Sequence, residues 1–253
     1  PMCKIEEMGW QGVDAVFCCL PHATTQEVVA GLPRHLKVID LSADFRLRDE
    51  AVYAEWYGHE HLAPALQPEA VYGLTEHYRS EIAKARIVAC PGCYPTSALL
   101  PLLPIVAAGQ IEVGDIVIDS KSGVTGAGRT PKEGTLYAEV AEGIHAYGIA
   151  QHRHAPEMEQ ELAVAAGQAI TVNFTPHLVP MNRGILSTIY VRLANGVDIA
   201  ALRASLRAAY DDEAFVRLVP EGQTPATRHV RGSNHCLIGV FEDRVLGRAI
   251  LVS

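Results

Sequence analysis

The sequence predicts an α/β chain in two parts: a partial doubly wound parallel sheet, followed by an α+β region whose sheet is mostly antiparallel. Three observations carry this. Asp14–Leu20 and Lys37–Leu41 are short, continuous apolar runs, the pattern of parallel strands buried on both faces. A helix-like stretch separates them, which sets up the β-α-β rhythm of a doubly wound sheet. Beyond Gly109 the strands come in runs with few crossovers, as an antiparallel sheet requires.

Composition sets the outer limits. At 253 residues the chain suffices for one large domain or two ordinary ones. It is 49% hydrophobic and 20% charged, which makes it globular rather than disordered. A net charge of −8 argues against nucleic acid or an anionic membrane as partner. No apolar run approaches the ~20 residues of a membrane helix, and no signal peptide is legible. The six cysteines, at positions 3, 18, 19, 90, 93 and 236, form no disulfide framework and point to a reducing compartment. Cys18-Cys19 lie in an apolar run, where packing is the default role.

In chain order, the first strand is Asp14–Leu20, followed by a loop from Pro21 and a helix capped by Thr24 or Thr25 that ends near Gly31. The second strand ends in the loop Ser42–Arg46, where Asp44 reads as a turn cap. A short helix covers Glu50–Trp56, and the aromatic, His- and Pro-rich remainder of 49–80 reads as an irregular crossover. Ala85–Ala89 is the third strand, with Cys90 at its end facing the core. In the helix that follows, Ser97–Leu100 reads as the opening and Pro95 fits a first helical turn; the helix must be kinked or divided at Pro101 and Pro104. Asp115–Asp119 is a strand leading into a glycine-rich loop, Ser120–Arg129. A helix-like stretch near Tyr137–Glu142, a strand near Ala146–Ile149 and a helix opened by Pro156 come next. Strands are expected at Thr171–Thr175 and Ile185–Leu193, then a helix from Asp198 to Tyr210, then strands near Phe215–Leu218, His235–Phe241 and Val245–Val252. Both ends read as cut, since neither closes with a cap or a polar tail.

Ligands of doubly wound sheets bind at the carboxyl ends of strands, and the loops beginning at Pro21, Ser42 and Cys90 all start there. The corner Ala89-Cys90-Pro91-Gly92-Cys93-Tyr94-Pro95-Thr96 carries the chemistry. A cysteine at a strand-to-helix turn meets backbone N–H groups and the positive end of the helix dipole, both of which favour the nucleophilic thiolate. Cys93 is therefore the candidate nucleophile for a carbonyl. The competing readings are a small buried hydrophobe and a C-x-x-C redox or zinc pair with Cys90, although no second C-x-x-C completes a zinc site.

Gln151-His152-Arg153-His154-Ala155-Pro156-Glu157 is the second constellation. A Cys–His couple is the minimum for generating a thiolate and later moving a proton, and chemistry alone leaves His152 and His154 equivalent. Alternation puts the two on one side of an extended segment, as a metal pair would need, yet no third ligand lies nearby. Ser122–Gly128 offers glycine-flanked amides to an anion; it has no G-K-[ST] ending and is not a Walker loop. Arg46, Arg129 and Arg183 are candidate partners for a carboxylate or phosphate, and Tyr147 is a candidate donor to a developing oxyanion.

Pro91-Gly92-Cys93-Tyr94-Pro95-Thr96 resembles the active-site motif of the N-acetyl-γ-glutamyl-phosphate reductases. Asp40-Leu-Ser-Ala-Asp-Phe-Arg46, Ser122-Gly-Val-Thr-Gly-Ala-Gly-Arg129, His152-Arg-His-Ala-Pro-Glu157, Gly184-Ile-Leu-Ser-Thr188 and Val230-Arg-Gly-Ser-Asn234 resemble the same family, in order along the chain. The resemblance implies a Rossmann-type dinucleotide-binding domain over 1–92, without its N-terminal glycine-rich segment, and a catalytic and dimerisation domain over 93–253, without a C-terminal segment. It implies NADPH-dependent reduction of N-acetyl-γ-glutamyl phosphate to the semialdehyde, with release of phosphate, in arginine biosynthesis. Cys93 would form the thioester, and His152, with His154 as second choice, would be the acid/base. Arg46, Tyr147 and Arg183 would meet the substrate; Pro21, Ser42, Ser122, Gly123, Gly126 and Gly128 would meet NADPH/NADP. The implied partners are a small acyl phosphate and further copies of the chain, as a homodimer or homotetramer, in a cytoplasm or a plastid stroma; no metal is implied. The rival enzyme reading is a cysteine hydrolase or acyltransferase without hydride transfer, and the non-enzyme reading is an assembly module.

Overall fold

The computed structural model describes residues 4–253, which divide into two compact units, one ending at Pro91 and one spanning Gly92–Ser253. The first unit carries β1 (Ala15–Cys18), α1 (Thr25–Gly31), β2 (Lys37–Asp40), α2 (Glu50–Tyr57), β3 (Ala70–Tyr72), α3 (Thr75–Ile82) and β4 (Ile87–Ala89). Its sheet runs β1-β2-β4-β3, and every pairing is parallel, as the doubly wound reading requires. Val29, Leu36, Val38, Phe45 and Ile87 are buried in its core.

Several expectations change here. β1 is the edge strand, with Phe17 68% exposed, so the continuous apolar run does not mean burial on both faces. Cys19 falls just past the strand and is exposed. The supposed irregular crossover contains β3 and α3: the strand is too short to show a period, and α3 has no buried residue and a non-helical break at Tyr78. The cap of α1 is also supplied differently. Thr24 stands at the N-cap without a side-chain bond, and the carboxylate of Asp44 instead accepts from the amides of Ala23 (2.9 Å) and Thr25 (3.1 Å) and from the Tyr53 hydroxyl (3.0 Å). Asp44 is fully buried and holds the β2 loop, α1 and α2 together; it is a hub rather than a turn cap.

The second unit carries α4 (Cys93–Ala107), β5 (Ile111–Gly123), α5 (Tyr137–Val140), β6 (His145–Ala146), α6 (Ala155–Ala166), β7 (Asn173–Val179), β8 (Ile185–Leu193), α7 (Ile199–Tyr210), β9 (Val216–Leu218), α8 (Thr227–Val230), β10 (Cys236–Glu242) and β11 (Arg248–Val252). Its seven strands are ordered β6-β7-β5-β8-β11-β10-β9. Pairings β5–β7 and β9–β10 are parallel and the other four antiparallel, so the sheet is mixed and mostly antiparallel.

α4 differs most from expectation. It begins at Cys93, earlier than Ser97, and runs to Ala107 as one helix through Pro101 and Pro104. A proline at 104 removes the N–H that would satisfy the carbonyl of Leu100. The Tyr210 hydroxyl, at the end of α7, donates to that carbonyl at 2.6 Å and replaces the lost bond from outside the helix. Sequence periodicity cannot reveal a repair made by a residue more than a hundred positions away. β5 also extends beyond Asp119 to Gly123, with an irregularity in register between Glu112 and Val117.

Tyr210→Phe keeps the ring and leaves the Leu100 carbonyl buried without its donor. The expected cost is about 1–3 kcal/mol, read as a fall of several degrees in the thermal melt; an unchanged melt would show that this repair is dispensable.

Candidate functional site

The site is built at the start of α4. Cys93 is the first helical residue and is exposed, while Gly92 at the N-cap and Tyr94 beyond it are buried. Pro95 has no N–H, and the amide of Thr96 bonds Gly92 O at 3.0 Å as the first bond of the helix. That is a helix terminus suited to negative charge on the neighbouring sulfur.

Gly92 is glycine for reasons of space. Its φ of −63° is open to any residue, but a Cβ there would stand 2.5 Å from Nε2 of His154. The His154 ring thus lies against the residue adjoining Cys93. His154 is also the N-cap of α6, and three residues on, Glu157 accepts the Gly92 N–H at 2.6 Å. His152 sits behind, half-buried, with its ring edge-on to Tyr94, Tyr147, His154 and Phe174. Its Nδ1 accepts the His154 N–H at 3.1 Å, which places the ring proton on Nε2. Burial, helped by the nearby Arg153 charge, pulls the His152 imidazole down to about 4.

Tyr147 follows β6 rather than lying in a strand, and its hydroxyl shares a 2.8 Å hydrogen bond with that of Tyr94. Burial pushes the Tyr147 hydroxyl up, and the charge of nearby Cys93 adds to the effect. Burial likewise pushes Tyr94 up, and both phenols stay protonated donors.

Cys93 opens onto a cavity of about 770 Å³. Thr96 and Ser97, three and four residues along α4, share that wall with Cys93. Ser122, Gly123, Gly126 and Arg183 line it as well, and so do Arg231 and Asn234 from the turn after α8. The last two were legible only as part of a motif, with no role attached; the i, i+3, i+4 spacing from Cys93 was a usable signal for Thr96 and Ser97. Beneath the cavity Ser97 donates to Ser187 at 2.8 Å, and Ser187 pairs with fully buried Ser120 at 2.7 Å, pinning α4 to β5 and β8.

The glycine-rich stretch is not the open anion cradle that its sequence suggests. Ser120–Gly123 belongs to β5, and the amides of Gly123, Val124 and Thr125 are donated to the carbonyls of Gly184, Met181 and Asn182. A Cβ on Gly123 would meet that turn's backbone at 2.8 Å, so this glycine serves close packing of two turns. Gly128, with φ +85°, ends the turn. The remaining expected residues lie in the first unit. Arg46 is buried and donates to the carbonyls of Cys90 (Nε, 2.7 Å) and Leu41 (Nη2, 3.3 Å). Ser42 is buried, with its amide and hydroxyl both on Asp40, and Pro21 is exposed.

Comparison with known proteins fits these two units. Residues 2–85 match the model of the semialdehyde dehydrogenase NAD binding domain, and residues 93–253 that of the semialdehyde dehydrogenase dimerisation domain. The chain belongs to the semialdehyde dehydrogenase family. Its branch is that of the N-acetyl-gamma-glutamyl-phosphate reductases. It is 60% identical over 252 residues to the protein of that name from Rhodospirillum rubrum, covering 98% of this chain and 72% of the relative. It is 58% identical to the probable chloroplastic enzyme of Oryza sativa subsp. japonica, covering 98% of this chain and 60% of that longer relative. Among solved structures, aspartate semialdehyde dehydrogenase II from Vibrio cholerae shares the fold at a TM-score of 0.69 and 18% identity, over 98% of this chain and 76% of that one. Among the described residues no helix is long and apolar enough to cross a membrane.

Of the residues present, Ser122, Gly123 and Gly126 suit a nicotinamide cofactor, because they face the same cavity as Cys93. At the start of α1 the amides of Ala23 and Thr25 are held by the carboxylate of Asp44.

Two results are expected from this geometry. Gly92→Ala would push the His154 ring aside, and single-residue ring signals in NMR would move at His154 with the fold retained; an undisturbed His154 would contradict the close packing. His152 binds a proton more readily in the unfolded chain than in the folded one, so it contributes stability above pH ~6.5. That contribution is lost as pH falls from there toward the folded value of about 4. Replacing His152 with Phe should flatten the pH dependence of chemical denaturation across this window.

Proposed function

We propose that this chain reduces N-acetyl-γ-glutamyl phosphate to N-acetylglutamate semialdehyde with release of phosphate, using NADPH, as a step in making arginine. The observation that carries the reading is the exposed thiol of Cys93 at the first turn of a buried helix, opening on a cavity with Arg183 and Arg231 in its wall. The Cys93 thiolate attacks the acyl phosphate carbon; the C–S bond forms as the C–O bond to phosphate breaks, leaving a thioester. Arg183 and Arg231 suit the charge of the substrate and of the departing phosphate. Tyr147, a protonated phenol near Cys93, donates to the developing oxyanion.

When bound, NADPH would supply hydride to the thioester carbon. Ser122, Gly123 and Gly126 would hold its nicotinamide end. The thiohemiacetal then collapses as an imidazole manages its proton and the Cys93 sulfur leaves as thiolate. We assign that imidazole first to His154, whose ring adjoins Gly92, with His152 behind it as a neutral group ordered by its bond from the His154 amide. The sequence resemblance ranked them the other way. Matching of residues 93–253 to a dimerisation domain supports a homodimer or homotetramer built through the second unit, and the names of the plant relatives support a plastid stroma as one setting beside a bacterial cytoplasm.

Cys93→Ser is expected to abolish substrate-dependent oxidation of NADPH, followed by its near-ultraviolet absorbance; phosphate release without NADPH oxidation in the unaltered chain would favour a hydrolase instead. His154→Ala is expected to lower kcat by ~10²–10⁴-fold, and His152→Ala by less. The opposite order would return the acid/base role to His152.

A further inference from the structure

Tyr94 follows Cys93 directly at the start of α4 and is 2% exposed. Its ring stands edge-on to His152, His154 and Phe174, with centroids 5.6, 5.8 and 5.3 Å away. Packing accounts for that ring, and phenylalanine would fill the same space. It does not account for the hydroxyl, whose burial costs stability unless partners are found. The partners are two. The Tyr147 hydroxyl lies at 2.8 Å, and the side chain of Ser122, near the end of β5, bonds the same phenol. Hydroxyls from β5, α4 and the turn after β6 therefore form one chain, and Tyr147, which feels the charge of Cys93, is at one end of it.

Each hydroxyl has a single proton, so the chain has a direction. Burial is the main cause that holds the Tyr94 proton; the bond with Tyr147 holds it further and the bond with Ser122 eases it. Burial also holds the Tyr147 proton, and there the bond with Tyr94 eases it. A donor keeps its proton more tightly and an acceptor less so, which gives the sense Ser122 to Tyr94 to Tyr147. The Ser122 proton also reaches the Gly123 carbonyl, at 3.1 Å; negative charge developing beyond Tyr147 draws the protons toward itself and selects the forward sense.

We propose that Tyr94 is a positioning residue for the oxyanion donor: its hydroxyl donates to that of Tyr147 and so turns the Tyr147 proton toward the oxygen that gains charge when the Cys93 thiolate attacks the acyl carbon. The inference deepens the proposed reaction and rests on its reading of Cys93 and Tyr147. A phenol that accepts a hydrogen bond is itself a stronger donor, and a donor to an oxyanion is effective when it is aimed before the charge arrives. No proton changes owner in this step. The C–S bond forms, the carbonyl electron pair moves to oxygen and returns as the C–O bond to phosphate breaks, and the hydroxyls follow the charge by hydrogen bonding alone.

The test is single-turnover release of phosphate from N-acetyl-γ-glutamyl phosphate by the whole chain without NADPH, for the unaltered protein, Y94F, Y147F and the double variant. Y94F keeps the ring and loses only the hydroxyl. Release should slow roughly tenfold in Y94F and ~10²-fold in Y147F. The double variant should match Y147F, because Tyr94 acts through Tyr147. Iodoacetamide alkylation of Cys93 develops no oxyanion, so its rate should be the same in Y94F as in the unaltered chain. Unslowed release in Y94F overturns the proposal. So does a Y94F effect that repeats in full on top of Y147F, and so does alkylation slowed in step with release, which would mark a merely structural role. Phosphate release at the unaltered rate by Cys93→Ser would remove the nucleophile and this proposal with it, whereas the loss of the Y94F effect alone leaves the nucleophile standing.

Discussion

The absence of a side chain at Gly92 governs the arrangement of the second unit's chemistry. Into the space it leaves, α6 inserts the ring of His154, and onto the amide it exposes, α6 places the carboxylate of Glu157. Two helices that begin at distant points in the chain are thereby joined start to start. Cys93 is carried at the joint, exposed, with its backbone already committed to the helix. A larger residue at 92 would satisfy the backbone torsions equally well and still separate the two helices, so the constraint is one of volume rather than of conformation.

The same physical device recurs in the first unit. There Asp44, fully buried, occupies the start of α1 from the loop after β2. In both units a carboxylate of the chain accepts backbone amides at or beside a helix start, and the gain is a fixed relation between segments distant in sequence. The second unit adds a further anchor below the reacting end: the hydroxyls of Ser97, Ser187 and Ser120 link α4 to β5 and β8, while Tyr210 repairs the carbonyl that Pro104 leaves open. A helix held at several points by specific hydrogen bonds gives its first residue a defined position, which covalent chemistry at that residue requires.

Much of this was legible in the sequence. Three of the four parallel strands of the first unit, β1, β2 and β4, appeared as apolar runs, β8 appeared with both boundaries, and the cysteine corner appeared as a strand, a Pro-Gly turn and a helix. Failures fell where a distant residue decided the outcome. Pro101 and Pro104 predict a kinked or divided helix; the helix is undivided, and a tyrosine at the end of α7 bonds the carbonyl that Pro104 leaves open. Ser122–Gly128 looks like an anion cradle, and the turn at Met181–Gly184 takes the amides of Gly123, Val124 and Thr125. Phe17 looks buried by its run and is exposed on one face of the sheet. β3 and α3 carried no period to detect.

The sequence by itself determined the kinds of groups available, a thiol at a helix start, paired imidazoles and a glycine-rich turn, together with the α/β and α+β character of the two units. These depend on local composition and spacing, which a linear reading contains. Only the tertiary structure decided which imidazole adjoins the cysteine, where Glu157 points and which amides are already engaged. Those are matters of a few ångströms between segments remote in sequence, and hydrogen bonding and exclusion at that range are set by packing rather than by any local pattern.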